Sequence, residues 1–135
     1  FLEESGLGRA RPDAVIVFTR PQGYGELLDV LRSHSHELSR SAGRLVPDEE
    51  SAADWYDNVY LPALKIIKAT RLRQRYPFKT DADMYLWTHQ LRRSLQPTQP
   101  DISWAEAAEK RAAEHHGPFF RWRHQRYLRR PLQRR

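Results

Sequence analysis

The chain has 135 residues, no Cys and a formal net charge of +6. Its length predicts one domain with a modest core, and the absence of Cys excludes disulfides, thiolate nucleophiles and Cys-based zinc sites. No apolar run approaches the roughly 18 to 20 residues that span a bilayer, and the first residues do not resemble a signal peptide. We therefore expect a cytoplasmic protein that does not enter the membrane. The lack of an initiator Met predicts a fragment or a processed product.

The positive charge is concentrated near the C-terminus. Residues 119–135 contain seven Arg and no acidic residue, whereas the other 118 residues contain 16 basic and 17 acidic ones. The high isoelectric point is therefore a property of the last residues and not of the whole body.

One short strand is predicted near the start of the chain. Residues 13–19 (DAVIVFT) are rich in β-branched and aromatic side chains and end at Arg20-Pro21. A single strand is not stable alone. We expect it to pair with an upstream domain or another copy, or to lie as an extended arm.

Two helical regions follow the strand. Apolar residues from Tyr24 recur at helical spacing up to Gly43, a good stop signal. The next region begins near Asp48 and contains Pro62, which either kinks one long helix or opens a second helix at its first turn. Its apolar face is predicted to carry Trp55, Val59 and Ile66.

Two capping boxes predict the starts of two further helices. Thr80 and Asp83 form the first, and Ser103 and Glu106 form the second, whose helix should run to about His116. The fold class is therefore mainly α, a compact bundle of about five helices with one short N-terminal strand and a basic C-terminal tail. The expected parts are an N-terminal arm or strand (1–22), a helical domain (23–116) and an Arg-rich C-terminal helix or tail (117–135).

The strongest functional signal is the C-terminal run, residues 119–135, called the Arg-rich segment below. Guanidinium groups bind phosphate bidentately, and aromatic side chains stack on unpaired bases. The alternative is a solvated basic end whose aromatics pack on the core, and a membrane surface is disfavoured because the segment lacks a broad apolar face. The predicted nucleic-acid-binding residues here are Arg121, Arg123, Arg126, Arg129, Arg130, Arg134, Arg135, Trp122 and Tyr127.

A second basic cluster consists of Lys65, Lys68, Arg71, Arg73, Arg75 and Lys79. Its four predicted nucleic-acid-binding residues, called the basic flank below, are Lys65, Lys68, Arg71 and Arg75. No acidic residue lies between Asp57 and Asp81. These cations either contact nucleic acid or complement the helix dipole, with acids at the helix start and bases at its end.

No catalytic, metal or cofactor site is expected. The paired carboxylates fall in the first turns of predicted helices, where capping explains them. The six His lack a metal-ligand spacing such as HExxH, and the glycines form neither GxGxxG nor a phosphate-binding loop. An enzyme fragment would require Asp57 and Asp83 to converge in a cleft.

Four motifs occur in a particular order: FLEE at Phe1, FT-x-P at Phe18, WYDNVYLP at Trp55 and T-x-ADMYLW at Thr80. In this order they resemble the region that follows the ParB/sulfiredoxin-like domain in a group of poorly characterised bacterial proteins. The resemblance covers about residues 1–95. It implies a bacterial cytoplasmic protein that belongs with a ParB-like regulator, but the ParB-like signature itself is absent, so it implies no activity.

The residues together predict a non-enzymatic nucleic-acid-binding module. RNA, including ribosomal RNA, is slightly favoured by the mixture of Arg and aromatic residues, and DNA by the ParB-like association. The oligomeric state is open, and the protein partner could be an upstream domain. The alternative is a protein–protein interaction module that uses an aromatic helical face formed by Trp55, Tyr56, Tyr85 and Trp87.

Overall fold

The computed structural model describes residues 1–114, and this part of the chain is mainly helical, as predicted. Short helices α1 and α2 precede the long helix α3, and α7 and α8 pack together at the other end. The elements are α1 (Leu2–Ser5), α2 (Leu7–Ala10), α3 (Gln22–Ala42), α4 (Asp48–Trp55), a π-helical turn (Tyr56–Tyr60), α5 (Leu61–Lys68), α6 (Arg71–Arg75), α7 (Asp81–Leu95) and α8 (Trp104–Glu114).

The N-terminal strand predicted at 13–19 is wrong, since no β-strand occurs within residues 1–114. The alternating pattern that suggested it is nevertheless real. Ile16 and Phe18 are buried, at 6% and 8% exposure, whereas Val15 and Val17 are exposed at 71% and 50%. The segment therefore alternates as a strand does, but the described part of the chain offers it no strand to pair with.

Hydrogen bonds to side chains take the place of the backbone hydrogen bonds that a neighbouring strand would provide. The Phe18 amide donates to the Tyr24 hydroxyl at 3.2 Å, and the Thr19 amide donates to the Asp83 carboxylate at 3.1 Å. The Thr80 hydroxyl donates to the Val17 carbonyl. Because backbone groups near a core need partners, these bonds fix the segment against α3 and α7 without a sheet.

Pro62 lies in the first turn of α5, but the helical backbone does not break there. Proline has no N–H, so it cannot donate to the carbonyl of Asn58 four residues earlier. A π-helical turn precedes it, in which the Leu61 amide donates to the Tyr56 carbonyl five residues back. This wider turn lets α4 and α5 continue as one helical path.

The π-helical turn shifts the buried face by one residue. Trp55 and Tyr60 are 1% and 2% exposed, and Ile67 is fully buried. The predicted face is therefore wrong at Ile66, which is 42% exposed. One additional residue rotates every later side chain by about 100° around a helix of 3.6 residues per turn.

The core consists of two connected groups of buried side chains. The larger group surrounds Trp55 and includes Leu7, Ile16 and Leu27, so residues of the N-terminal arm pack with the helical body. The smaller group joins α5, α6, α7 and α8 through Ile67, Leu72, Met84, Ala108 and Ala112.

Both predicted capping boxes are present. At α7, the Asp83 amide donates to the Thr80 hydroxyl at 3.1 Å, and the Thr80 amide donates to the Asp83 carboxylate at 3.0 Å. At α8, the Glu106 amide donates to the Ser103 hydroxyl at 3.0 Å, and the Ser103 amide donates to the Glu106 carboxylate at 2.8 Å. Local sequence alone determines these helix starts.

Asp83→Asn is expected to lower the free energy of unfolding by about 2 kcal/mol, because a buried charge-assisted pair of bonds is lost. Burial raises the pKa of Asp83, but the hydrogen bonds from Thr80 and Thr19 outweigh it and hold the pKa below its usual range. A lowered folded-state pKa means that this stabilisation is present above the unfolded pKa and disappears as the pH falls through the folded one.

Urea denaturation at pH 7 and at pH 3 measures the effect. The matched control is Glu106→Gln, at the exposed capping box of α8, which should cost less than about 1 kcal/mol. Equal losses in the two variants would show that the carboxylate of Asp83 does not anchor the segment at 14–19.

Candidate nucleic-acid interface

The basic flank occupies the last turn of α5 and all of α6. Lys68 Nζ lies 3.1 Å from Asp81, and Arg71 Nε lies 2.9 Å from Glu109. Lys65 is exposed and has no ionic partner within residues 1–114, and Arg75 is exposed on α6. The structure therefore brings the four predicted residues onto two consecutive short helices.

The ion pairs of the flank do not remove it from solvent. Lys68 and Arg71 are 46% and 71% exposed in their side chains. Exposed pairs of this kind contribute about 0 to 1 kcal/mol. A phosphate can therefore compete with the carboxylates for both cations.

Two further cations near the flank have structural roles. The Arg73 guanidinium donates to the carbonyls of Pro77 and Lys79, at 3.1 and 2.6 Å, and so closes the turn before α7. Lys79 lies over the Trp87 ring, with Nζ 4.6 Å from the ring centre. These contacts explain part of the basic character between α5 and α7 without a ligand.

Helix α6 packs directly against α8. The Arg71–Glu109 pair joins the two helices, and α8 is described to Glu114. Arg121 follows Glu114 by seven residues, which span at most about 25 Å. In sequence, the Arg-rich segment therefore follows α8, the helix against which α6 of the basic flank packs.

The predicted residues of the Arg-rich segment lie outside the described residues. They are Arg121, Arg123, Arg126, Arg129, Arg130, Arg134, Arg135, Trp122 and Tyr127.

Charge is segregated along the chain. Residues 1–64 contain 6 basic and 11 acidic residues, a net charge of −5, and residues 65–135 contain 17 basic and 6 acidic ones, a net charge of +11. A separation of this size creates a surface potential that attracts polyanions.

The two carboxylates of the enzyme alternative have separate structural partners. Asp57 is exposed and pairs with Arg11, which holds the pKa of Asp57 below its usual range. Asp83 caps α7, as described above. No group of three or more His, Asp or Glu within residues 1–114 is placed to hold a metal ion.

An aromatic–arginine cavity of about 430 Å³ lies between α3, α7 and the start of α8. Three rings in it are nearly parallel: Tyr85 and His89 at 17°, and Tyr85 and Trp104 at 26°. Arg92 and Arg93 border the same space. Sequence reasoning missed this cavity, although Tyr85, His89 and Arg93 recur at intervals of four on α7 and Arg92 follows His89 by three, which places them on one face.

His89 is held in its neutral form. Burial, with smaller contributions from Arg93 and Arg92, lowers the pKa of His89 to about 4 from 6.5. A lowered pKa of a base means that the unfolded chain binds a proton that the folded chain does not. The free energy of unfolding therefore decreases as the pH falls from about 6.5 to about 4.

We expect His89 to account for about 2 kcal/mol of lost stability between pH 7 and pH 5, at 1.36 kcal/mol per pKa unit. His89→Gln should flatten this part of the curve in urea denaturation, and His36→Gln, at an exposed position of α3, should not. A His89→Gln variant with the pH dependence of the wild type would contradict the burial of a neutral imidazole.

No helix within residues 1–114 combines the length and apolar character needed to cross a membrane. Comparison of the chain with protein-family models, curated proteins and solved structures finds no match. The resemblance to the region after a ParB/sulfiredoxin-like domain therefore stays a prediction.

Proposed function

We propose that this protein is a non-enzymatic nucleic-acid-binding module. The Arg-rich segment contacts the phosphate backbone, and the basic flank on α5 and α6 extends the same contact. RNA is slightly favoured over DNA, with ribosome association as one setting and a ParB-like DNA regulator as the other. The proposed compartment is the bacterial cytoplasm.

The contact between α6 and α8 carries the proposal. It brings Arg71 beside the helix whose chain continues into seven further Arg, and residues 65–135 together have a net charge of +11. The basic flank thus lies beside the helix after which the Arg-rich segment follows in sequence. A joint contact of the two clusters with one polyanion is what we propose.

The chemistry of the side chains favours a single-stranded ligand. Arg outnumbers Lys by 19 to 4, and its planar guanidinium both pairs with phosphate and stacks on bases. Trp122 and Tyr127 are interleaved with the Arg residues, and aromatic stacking contributes about 1 to 3 kcal/mol per unpaired base. A fully paired duplex does not expose its base faces.

Filter binding with the full-length protein tests the proposal. Single-stranded RNA, single-stranded DNA and duplex DNA of equal length are compared at about 100 mM salt, with RNA expected to bind most tightly. Absence of measurable affinity for all three ligands would contradict the proposal.

The second candidate is a protein-interaction module. The aromatic face predicted for it is not exposed in full, because Trp55 and Tyr85 are each 1% exposed. Phe78, at 92% exposure, is instead the most exposed large apolar side chain within residues 1–114. A partner that remains bound after nuclease treatment, and is lost with Phe78→Ser, would favour this candidate.

A further inference from the structure

The aromatic–arginine cavity has the size and lining of a ligand site. Its volume of about 430 Å³ falls within the roughly 300 to 1,000 Å³ of small-molecule pockets. Trp55, Val59 and Val30 line its apolar part, and its polar lining includes Arg92, Arg93 and the carboxylate of Glu37 on α3. A mixed lining of this kind suits a ligand with one planar face and one anionic group.

The planar part of the site is a platform of aromatic rings, in which buried Tyr85, at 1% exposure, stacks with His89 and Trp104, and these two half-buried rings supply the accessible surface. The centres of Tyr85, His89 and Trp104 are 5.3 to 6.1 Å apart, and their planes lie within 27° of each other. The Trp55 indole donates to the Tyr85 hydroxyl at 3.2 Å, which fixes the orientation of the platform. A rigid platform loses little entropy when a flat ring stacks on it.

Arg92 extends this platform. Its guanidinium lies 4.9 Å from the Trp104 ring centre, and its Nε donates to the Ile102 carbonyl at 3.0 Å. The side chain is thus held in place while its terminal nitrogens make no hydrogen bond within residues 1–114. A guanidinium in this position stacks on a base and also donates to its edge.

Arg93 supplies the free positive charge. It is exposed at the cavity and has no ionic partner among the residues that the structure describes. The acidic residue on the facing helix, Glu37, accepts a hydrogen bond from Arg40 instead. His34, also on α3, is bonded to Asp54 at 2.8 Å. Arg93 is therefore available to an incoming anion.

We propose that the cavity binds one unpaired nucleotide, with its base stacked against the Trp104–Arg92 platform and its phosphate on Arg93. This inference rests on the proposed nucleic-acid-binding function and names the site that selects single strands. Neutral His89 presents one donor or acceptor nitrogen to the base edge. The neighbouring nucleotides of the strand lie outside the cavity in this proposal.

The test uses the full-length protein and a single-stranded 12-nucleotide RNA, with the DNA of the same sequence as a second probe. Affinity is measured by fluorescence anisotropy, and occupancy of the cavity by the NMR signal of the Trp104 indole N–H, assigned with Trp104→Phe. Arg93→Gln is compared with Arg44→Gln, which removes the same charge from the exposed loop after α3. Thermal unfolding verifies that both variants fold.

We expect Arg93→Gln to weaken binding about tenfold, as for the loss of one charge-assisted hydrogen bond, and to abolish the shift of the Trp104 signal on addition of RNA. Arg44→Gln should change the affinity less than twofold and keep the shift. Two results would contradict binding in the cavity: tight RNA binding by the wild type without a shift of the Trp104 signal, or equal RNA affinities of the Arg93→Gln and Arg44→Gln variants. Either result would leave the basic flank and the Arg-rich segment as the interface. Absence of binding by the wild type would instead overturn the proposed function itself.

Discussion

Replacing Ile67 by Ala is expected to lower the free energy of unfolding by about 3 to 4 kcal/mol, within the range measured when a buried Ile is truncated to Ala. Ile67 is fully buried in the smaller core group, together with Leu72 and Met84. The loss combines the transfer free energy of the removed atoms with the cavity that they leave.

The neighbouring substitution provides the control. Ile66→Ala should cost less than about 1 kcal/mol, because Ile66 is 42% exposed. A helix without the π-helical turn at Tyr56–Tyr60 would bury Ile66 and expose Ile67. Urea denaturation of the two variants thus tests the turn, and a larger loss for Ile66→Ala would contradict it.

Replacing the seven Arg of the Arg-rich segment by Gln is expected to weaken single-stranded RNA binding by about 10³-fold at low salt, because several phosphate contacts disappear together. The seven residues carry more than the whole net charge of +6. Without them, the basic flank is the main remaining cationic contact, and two of its side chains are shared with Asp81 and Glu109.

A control variant in residues 1–64, which have a net charge of −5, distinguishes the loss of the Arg-rich segment from a general loss of positive charge. Arg9, Arg20, Arg40 and Arg44 are exposed and lie within residues 1–64. Changing these four to Gln should weaken RNA binding less than about fivefold, since they lie outside the proposed interface. Similar losses in the two variants, measured by filter binding, would contradict an interface at the C-terminal end.

The sequence is informative wherever a feature depends on neighbouring residues. The capping box of Thr80 and Asp83 depends only on two residues that are three positions apart. Helix α3 ends before Gly43, whose φ of 70° is a conformation that favours glycine. Both features were predicted. The second capping box, of Ser103 and Glu106, follows from the same local rule.

Features that depend on distant partners were mispredicted. The alternation at 14–18 has the pattern of a strand, but its backbone is held by Tyr24, Thr80 and Asp83. Pro62 lies in the first turn of a helix, which was one of the two predicted alternatives, but the π-helical turn before it was not predicted. Trp55 and Tyr60 pack together across that turn. Neither outcome is contained in the local residue pattern.

The candidate sites likewise combine features that depend on neighbouring residues with features that depend on distant partners. The basic flank was predicted because its four cations are close in sequence, but its pairing with Asp81 and Glu109 depends on how α6, α7 and α8 pack. The aromatic–arginine cavity joins α3, α7 and α8, so its residues become neighbours only in the folded chain. The sequence alone contains only the helical spacing of Tyr85, His89 and Arg93 along α7.

The salt dependence of RNA binding tests the central claim most directly. The dissociation constant of the full-length protein for a single-stranded 12-nucleotide RNA is measured from about 50 to 300 mM salt. The logarithm of the dissociation constant is expected to rise with the logarithm of the salt concentration with a slope of about +3 to +5, corresponding to roughly four to seven phosphate contacts at 0.7 each. A slope near zero, or no binding at the lowest salt concentration, would contradict the claim that this protein binds RNA through contacts with the phosphate backbone.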